Sequence, residues 1–238
     1  MGAQQLIHEL SQHADDQRAI HALRFFKTAP GQYGEGDVFI GITMPDLRKV
    51  CKKYHDLQMS DFEKLLANPI HEHRMAAVVI LSDMFKKQDE AGKRAFFNLY
   101  IKATKANQIN NWDLVDVSAR YVVGAYLLDK PRKILYELAR TDHLWSKRVA
   151  ILATPAFYVR GDASDTLALA EILLYDTHDL MHKAVGWMLR EVGKYVDESL
   201  LTSFLDVHAK TMPRTTLRYA IERLTPEQRA HYMQLKAR

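Results

Sequence analysis

The sequence predicts an all-α protein, a HEAT-like helical-repeat solenoid whose stacked helices curve and leave one concave face. Three observations carry that expectation. Proline and glycine are scarce, seven and ten of 238 residues. Apolar residues recur at spacings of three and four in "DFEKLLANPI", "RMAAVVILSDMF", "DTLALAEILLYD" and "KAVGWMLREVGKYV", the signature of a helix with one buried face. A third feature is self-similarity, because a basic residue followed by a small apolar run returns along the chain.

The elements follow in order. The N-terminal "MGAQQLIHELSQHADD" mixes acids, bases and apolar residues in an amphipathic helix pattern and does not resemble a signal or transit peptide. Residues 25–42 break the helical pattern with Pro30 and four glycines, Gly31, Gly34, Gly36 and Gly41, and are expected to form an irregular loop. Those glycines lack the Gly-Lys-Ser/Thr ending of a phosphate-binding loop. Ser60 with Glu63 and Thr225 with Gln228 have capping-box spacing, and Pro226 takes a first helical position. No stretch alternates convincingly as a strand.

The repeats begin at "HRMAAVVIL", "KRVAILATP", "HKAVGWMLR" and "LRYAIERL", placing Arg74, Arg148, Lys183 and Arg218 at the head of each run. The last three are 35 residues apart, and Arg74 precedes Arg148 by 74, room for two units. The intervening unit falls near residue 113, inside "NNWDLVDVSAR", where acids replace the base. Five helical-pair units then form a single repeat domain over residues 1–238. The tetratricopeptide period is close, but its Trp-Leu-Gly-Tyr pattern is missing.

Composition is that of an ordinary globular protein, with 47% hydrophobic and 26% charged residues. One cysteine, Cys51, rules out an internal disulfide framework and suits a reducing compartment. No segment approaches the roughly 18 apolar residues of a membrane span, so a cytoplasmic protein without membrane contact is expected, acting as a monomer. The net charge is only +4, from 33 bases and 29 acids. Its distribution therefore matters more than its size. Cations recurring along one face of a solenoid suit a polyanion, although the same residues could cap or bridge neighbouring repeats.

Trp112 and Asp116 stand one helical turn apart and share a face. They could be a half-buried ring beside a solvated acid, or a small site that needs an indole and a negative charge together. Asp113 fits the first turn of a helix. Trp187 in "KAVGWMLRE" has a core reading through its neighbours Met188 and Leu189, and Trp145 is the third tryptophan. His71 and His73 are two apart and diverge on a helix, so no metal pair is expected there. No zinc spacing or nucleophile elbow occurs elsewhere, and no cofactor is implied.

The segments "NNWDLVDVSAR", "LWSKRVAIL" and "KAVGWMLRE", taken in order, resemble the DNA alkylation repair family of HEAT-like DNA glycosylases, the AlkD type. The resemblance runs from about residue 20 to the C-terminal helices. It implies a curved helical stack that grips alkylated double-stranded DNA in its concave face and excises cationic purines such as N3-methyladenine and N7-methylguanine in base excision repair. By matching motifs, Asp116 takes the place of the family's catalytic aspartate, Trp112 and Trp187 those of its lesion-side tryptophans, and Arg148 that of its arginine. Lys147, Lys183, Arg190 and Arg218 join Arg148 as candidate phosphate contacts. "TAPGQYGEGD" looks like an insertion relative to the family. Some superfamily members bind DNA without excising bases, so a non-catalytic DNA-structure-binding protein is the alternative. A protein-interaction scaffold would explain the repeats but not the acid and indole.

Overall fold

The computed structural model describes residues 2–235 and is all-α. The outer ends of the expected 1–238 domain, residues 1 and 236–238, lie outside the described residues. The only β pairing among the described residues is an isolated parallel bridge between Val38 and Ile70. Two compact units divide the chain, Met1–Val122 and Val123–Arg238.

The first unit contains α1 (Ala3–Ser11), α2 (Asp16–Phe25), α3 (Met44–Cys51), α4 (Met59–Leu66), α5 (His71–Phe85), α6 (Glu90–Lys105) and α7 (Trp112–Ala119). At its centre is α5, packed by α3, α4, α6 and α7. Every residue of α5 except Asp83 is buried. From Met75 to Phe85 the helix is apolar nearly all round, and such a stretch is stable only in a core, while its first turn buries His71, Glu72, His73 and Arg74. Helix α2 is the opposite case, with no buried residue and with Ile20, Leu23 and Phe25 exposed. Between α2 and α3 runs the irregular glycine-containing loop expected from the sequence. Gly41 there has φ +77°, and a Cβ would stand 2.1 Å from the Asp15 carbonyl oxygen, so only glycine fits.

The second unit contains α8 (Lys133–Ala139), α9 (Leu144–Leu152), α10 (Pro155–Tyr158), α11 (Ser164–Leu173), α12 (Asp179–Tyr195), α13 (Glu198–His208), α14 (Arg214–Ala220) and α15 (Pro226–Gln234). Helix α12 is its axis, contacting α9, α10, α11, α13 and α14. Its closest approach is to α14. A Cβ on Gly186 would lie 2.4 Å from the Thr216 carbonyl oxygen, so the missing side chain lets the two backbones meet. A single π-helical turn, Arg120–Gly124, follows α7.

The capping box at Thr225 forms as expected: Gln228 N donates to Thr225 Oγ1 at 3.2 Å and Thr225 N donates to Gln228 Oε1 at 2.9 Å. The one expected at Ser60 does not. Helix α4 begins two residues earlier, with Gln58 as its N-cap, and the Gln58 backbone N donates to Asp61 Oδ2 at 3.1 Å. Asp61 Oδ1 also accepts from Ala3 N at 3.0 Å, which ties α1 to α4 and fixes where α4 starts.

Three of the four recurring cations share one helix position, whereas Arg74 is the fourth residue of α5. Arg148, Lys183 and Arg218 are each the fifth residue of their helices α9, α12 and α14, and the fifth residue of α7 is Asp116. Asp116 thus takes the position that carries a cation in the other three. Asp113 does not.

Candidate functional site

Helix α7 starts where Asn111, in extended conformation, turns the chain and its side-chain oxygen accepts from Trp112 N at 2.9 Å. Trp112 is therefore the first helical residue, and Asp116 follows one turn later on the same face. Both are half-buried. The indole is stacked on Phe26, ring centres 5.5 Å apart and planes at 26°, and Phe25 meets it edge-on at 5.9 Å. Phe25 is 56% exposed. Beneath Asp116, Tyr100 is fully buried with its hydroxyl 2.7 Å from Ser118 Oγ. Burial pushes the Tyr100 phenol well up, and the Asp116 carboxylate pushes it the same way.

Asp113 faces away from that role. Its Oδ1 accepts from Leu114 N at 2.8 Å, and its Oδ2 lies 2.9 Å from His71 Nε2. The other ring nitrogen of His71 is 3.3 Å from Asp37 Oδ2. Asp37, in the glycine-containing loop, is buried and accepts from Arg74 Nη2 at 2.6 Å, Asn110 Nδ2 at 2.8 Å and Asn111 Nδ2 at 3.2 Å. Burial alone would raise the Asp37 carboxyl. The His71 bond, the Arg74 charge and the Asn110 bond outweigh it and hold the carboxyl below its usual range. Burial likewise disfavours charge on His71, yet Asp113 and Asp37 carry its pKa up to about 9. His73, two residues on, is buried with no partner at either ring nitrogen; burial and Arg74 push it down to about 4.

The loop is held at a second point. Glu72 Oε1 accepts from Gly41 N at 2.8 Å and from Ile40 N at 3.1 Å. The segment that looked like an insertion in the sequence therefore carries Asp37, which is bonded to His71 and Arg74 of α5 and to Asn110 and Asn111 before α7.

In the second unit Trp187 is half-buried on α12 between buried Gly186 and Met188, and Trp145 is buried. The expected phosphate contacts have unequal surroundings. Arg148 is only 4% exposed, and its Nη1 donates to the Leu180 carbonyl at 2.7 Å. Lys147 pairs with Asp176, and Arg190 pairs with Glu222 and, at 3.1 Å, with Glu191. Lys183 makes a surface pair with Asp179 at 2.7 Å. Arg218 is exposed. In the first unit Arg74 donates to the carbonyls of Asn68 and Pro69 at 2.8 and 2.9 Å. For Arg74 and Arg148 the geometry favours the bridging role that their recurrence also allowed.

Sequence reasoning weighed His71 only as a metal ligand and missed Asp37, Phe25, Phe26 and Phe39. The aromatic residues flanking the glycines in "FFKTAPGQYGEGDVF" were the available signal.

No curated protein matches the chain. Among solved structures, a chain described as a predicted DNA alkylation repair enzyme from Enterococcus faecalis superposes with a TM-score of 0.70. It shares 15% identity over 90% of this chain and 98% of that one, which establishes a common fold. A family model described as DNA alkylation repair enzyme matches residues 6–224, nearly the whole sequence. The chain belongs to that family.

Proposed function

We propose that this protein is a monofunctional DNA glycosylase that hydrolyses the N-glycosidic bond of cationic alkylated purines, N3-methyladenine and N7-methylguanine. The observation that carries the reading is Trp112 and Asp116 on one face of α7, with the indole buttressed by Phe25 and Phe26. Family membership supplies the context of alkylated DNA.

The chemistry suits those groups. Alkylation places a positive charge on the purine, which then leaves as a neutral base when the bond from C1′ to nitrogen breaks. The sugar gains oxocarbenium character, as in glycoside hydrolysis. A carboxylate fixed beside C1′ stabilises that charge and orients a water molecule. The water oxygen bonds to C1′, and its proton passes to Asp116 and on to solvent. The products are a free base and an abasic site. Indole faces attract a cationic base by roughly 0.5–2 kcal/mol, depending on desolvation. Trp112 and Trp187 are proposed for that contact.

In this reading a single repeat domain binds duplex DNA along a concave face, as a monomer in the cytoplasm, with no resident metal or cofactor. Arg218 is the stronger candidate for a phosphate contact, followed by Lys183, whose pair with Asp179 lies at the surface. Lys147 and Arg190 would first have to exchange their carboxylate partners for phosphate. Arg148, fixed by the Leu180 carbonyl, would contribute chiefly by shaping α9 against α12. The test is formation of abasic sites in a duplex carrying one N7-methylguanine. Strand cleavage at the lesion after alkali treatment supports the reading. Salt-sensitive binding without cleavage would instead mean a non-catalytic DNA-structure-binding protein, and neither would mean a protein-interaction scaffold.

A further inference from the structure

His71 belongs to no step of the proposed hydrolysis, yet it is buried at 3% exposure between two carboxylates. An ionised carboxylate only accepts hydrogen bonds. Two carboxylates facing the two ring nitrogens favour a proton on each, and the His71 pKa, raised to about 9, agrees with the imidazolium form. The charged groups that face it are Asp37 from the loop, Asp113 from α7 and Arg74 from its own helix. Glu72 on the same turn is committed to the Ile40 and Gly41 amides, and His73 is uncharged at neutral pH.

Two routes connect this cation to Trp112. One is a cluster of rings: Phe39 stacks on His71 at 4.7 Å and 28°, Phe26 stacks on Phe39 at 5.0 Å and 11°, and Trp112 stacks on Phe26. Phe26 also lies 5.2 Å from the His71 ring directly. The second route is Asp113, the residue after Trp112, whose Oδ2 receives the His71 proton donor. The circuit closes on itself, so the indole cannot shift without disturbing either the ring cluster or the first turn of α7.

We infer that His71, held as an imidazolium between Asp37 and Asp113, is a positioning residue that fixes the Trp112 indole for its role against the lesion. Where excision is concerned this rests on the glycosylase reading; the coupling of His71 to Trp112 does not. Loss of one proton turns an attractive contact into a nitrogen lone pair facing a carboxylate. That loosens Asp113 or Asp37, and the ring cluster with it, and Trp112 responds.

The experiment uses the full chain labelled with 5-fluorotryptophan and followed by fluorine NMR from pH 7 to 10. The Trp112 resonance is the one missing from Trp112→Phe. In the wild type it should titrate with a midpoint near 9, and in His71→Gln it should not titrate. Asp113→Asn removes one of the carboxylates that favour the cation, so the midpoint should move to lower pH; this variant also serves if His71→Gln does not fold. At neutral pH and saturating N7-methylguanine duplex, His71→Gln should lower kcat about tenfold or more, as expected for a displaced active-site group, with KM unchanged. A Trp112 resonance that does not move with pH, or one that titrates equally in His71→Gln, overturns the inference. The NMR arm needs no turnover, so a protein that titrates but excises nothing would fault the glycosylase reading alone.

Discussion

Phe26 lies stacked beneath Trp112, 5.5 Å between ring centres and 26° between planes, although 86 residues separate them in sequence. The glycine-containing loop makes that possible by folding back over the start of α7. It also gives the most direct check on how Trp112 is held. Phe26→Leu keeps an apolar side chain but removes the ring contact, worth about 0.5–1.5 kcal/mol. Single-turnover excision should slow by roughly three- to tenfold, with circular dichroism unchanged. An unaffected rate would mean that the indole is oriented from elsewhere.

His71 and His73 make opposite predictions for stability against pH. His71 is raised to about 9 from 6.5, so the stability it contributes is complete below pH 6.5 and lost as pH rises through 9. The amount is on the order of 3 kcal/mol. His73 is lowered to about 4, so unfolding gains from its protonation as pH falls from 6.5 towards 4. A plot of Tm against pH should peak near 6.5 as far as these two groups act. His71→Gln should flatten the alkaline arm and His73→Leu the acid arm, both read by thermal denaturation.

Binding to undamaged duplex should weaken steeply with salt, because each phosphate contact adds about −0.9 to the log–log slope. Arg218→Ala and Lys183→Ala should each make the slope shallower by about that amount and leave Tm unchanged. Arg148→Ala should leave the slope unchanged and lower Tm instead. It leaves the Leu180 carbonyl without its buried donor, at a cost of about 1–3 kcal/mol, so Tm falls. Fluorescence anisotropy across a salt series and thermal melts distinguish the two behaviours.

Lesion charge should decide what is excised. A neutral base such as uracil or hypoxanthine leaves only if a general acid protonates it. Asp113, the other nearby carboxyl, is occupied by His71 and by the Leu114 amide. Parallel assays on identical duplexes should show release of N7-methylguanine and retention of both neutral bases. Efficient uracil or hypoxanthine release would contradict the charge-based mechanism.

Much of the architecture was legible in the sequence because helical periodicity and caps are local. The runs around Met75 and Ala184 form helices as expected. So does the Thr225 cap, whereas the Ser60 box failed because Asp61 answers to Ala3, 58 residues away. Trp112 and Asp116 could be placed on one face from spacing alone. Which acid matched the recurring cations could not, since the interval from Asp116 to Arg148 is 32 residues where the later ones are 35. The His71 cluster was out of reach for a different reason. It joins Asp37, His71, Arg74, Asn110 and Asp113 from three separate stretches, and no periodicity connects them. Burial of Arg148 was equally invisible, because an arginine beside an apolar run looks the same whether it meets phosphate or a carbonyl.

The central claim is that Asp116 does its work in the transition state of base release. It is tested most directly by single-turnover excision of N7-methylguanine with Asp116→Asn at saturating protein. Asparagine keeps the shape of the side chain and removes its charge, so ground-state binding should be retained while the chemical step slows. The account predicts a fall of roughly 10²–10³-fold, the range seen when one electrostatic stabiliser is lost, with the duplex Kd unchanged. Near-wild-type excision by Asp116→Asn would contradict it.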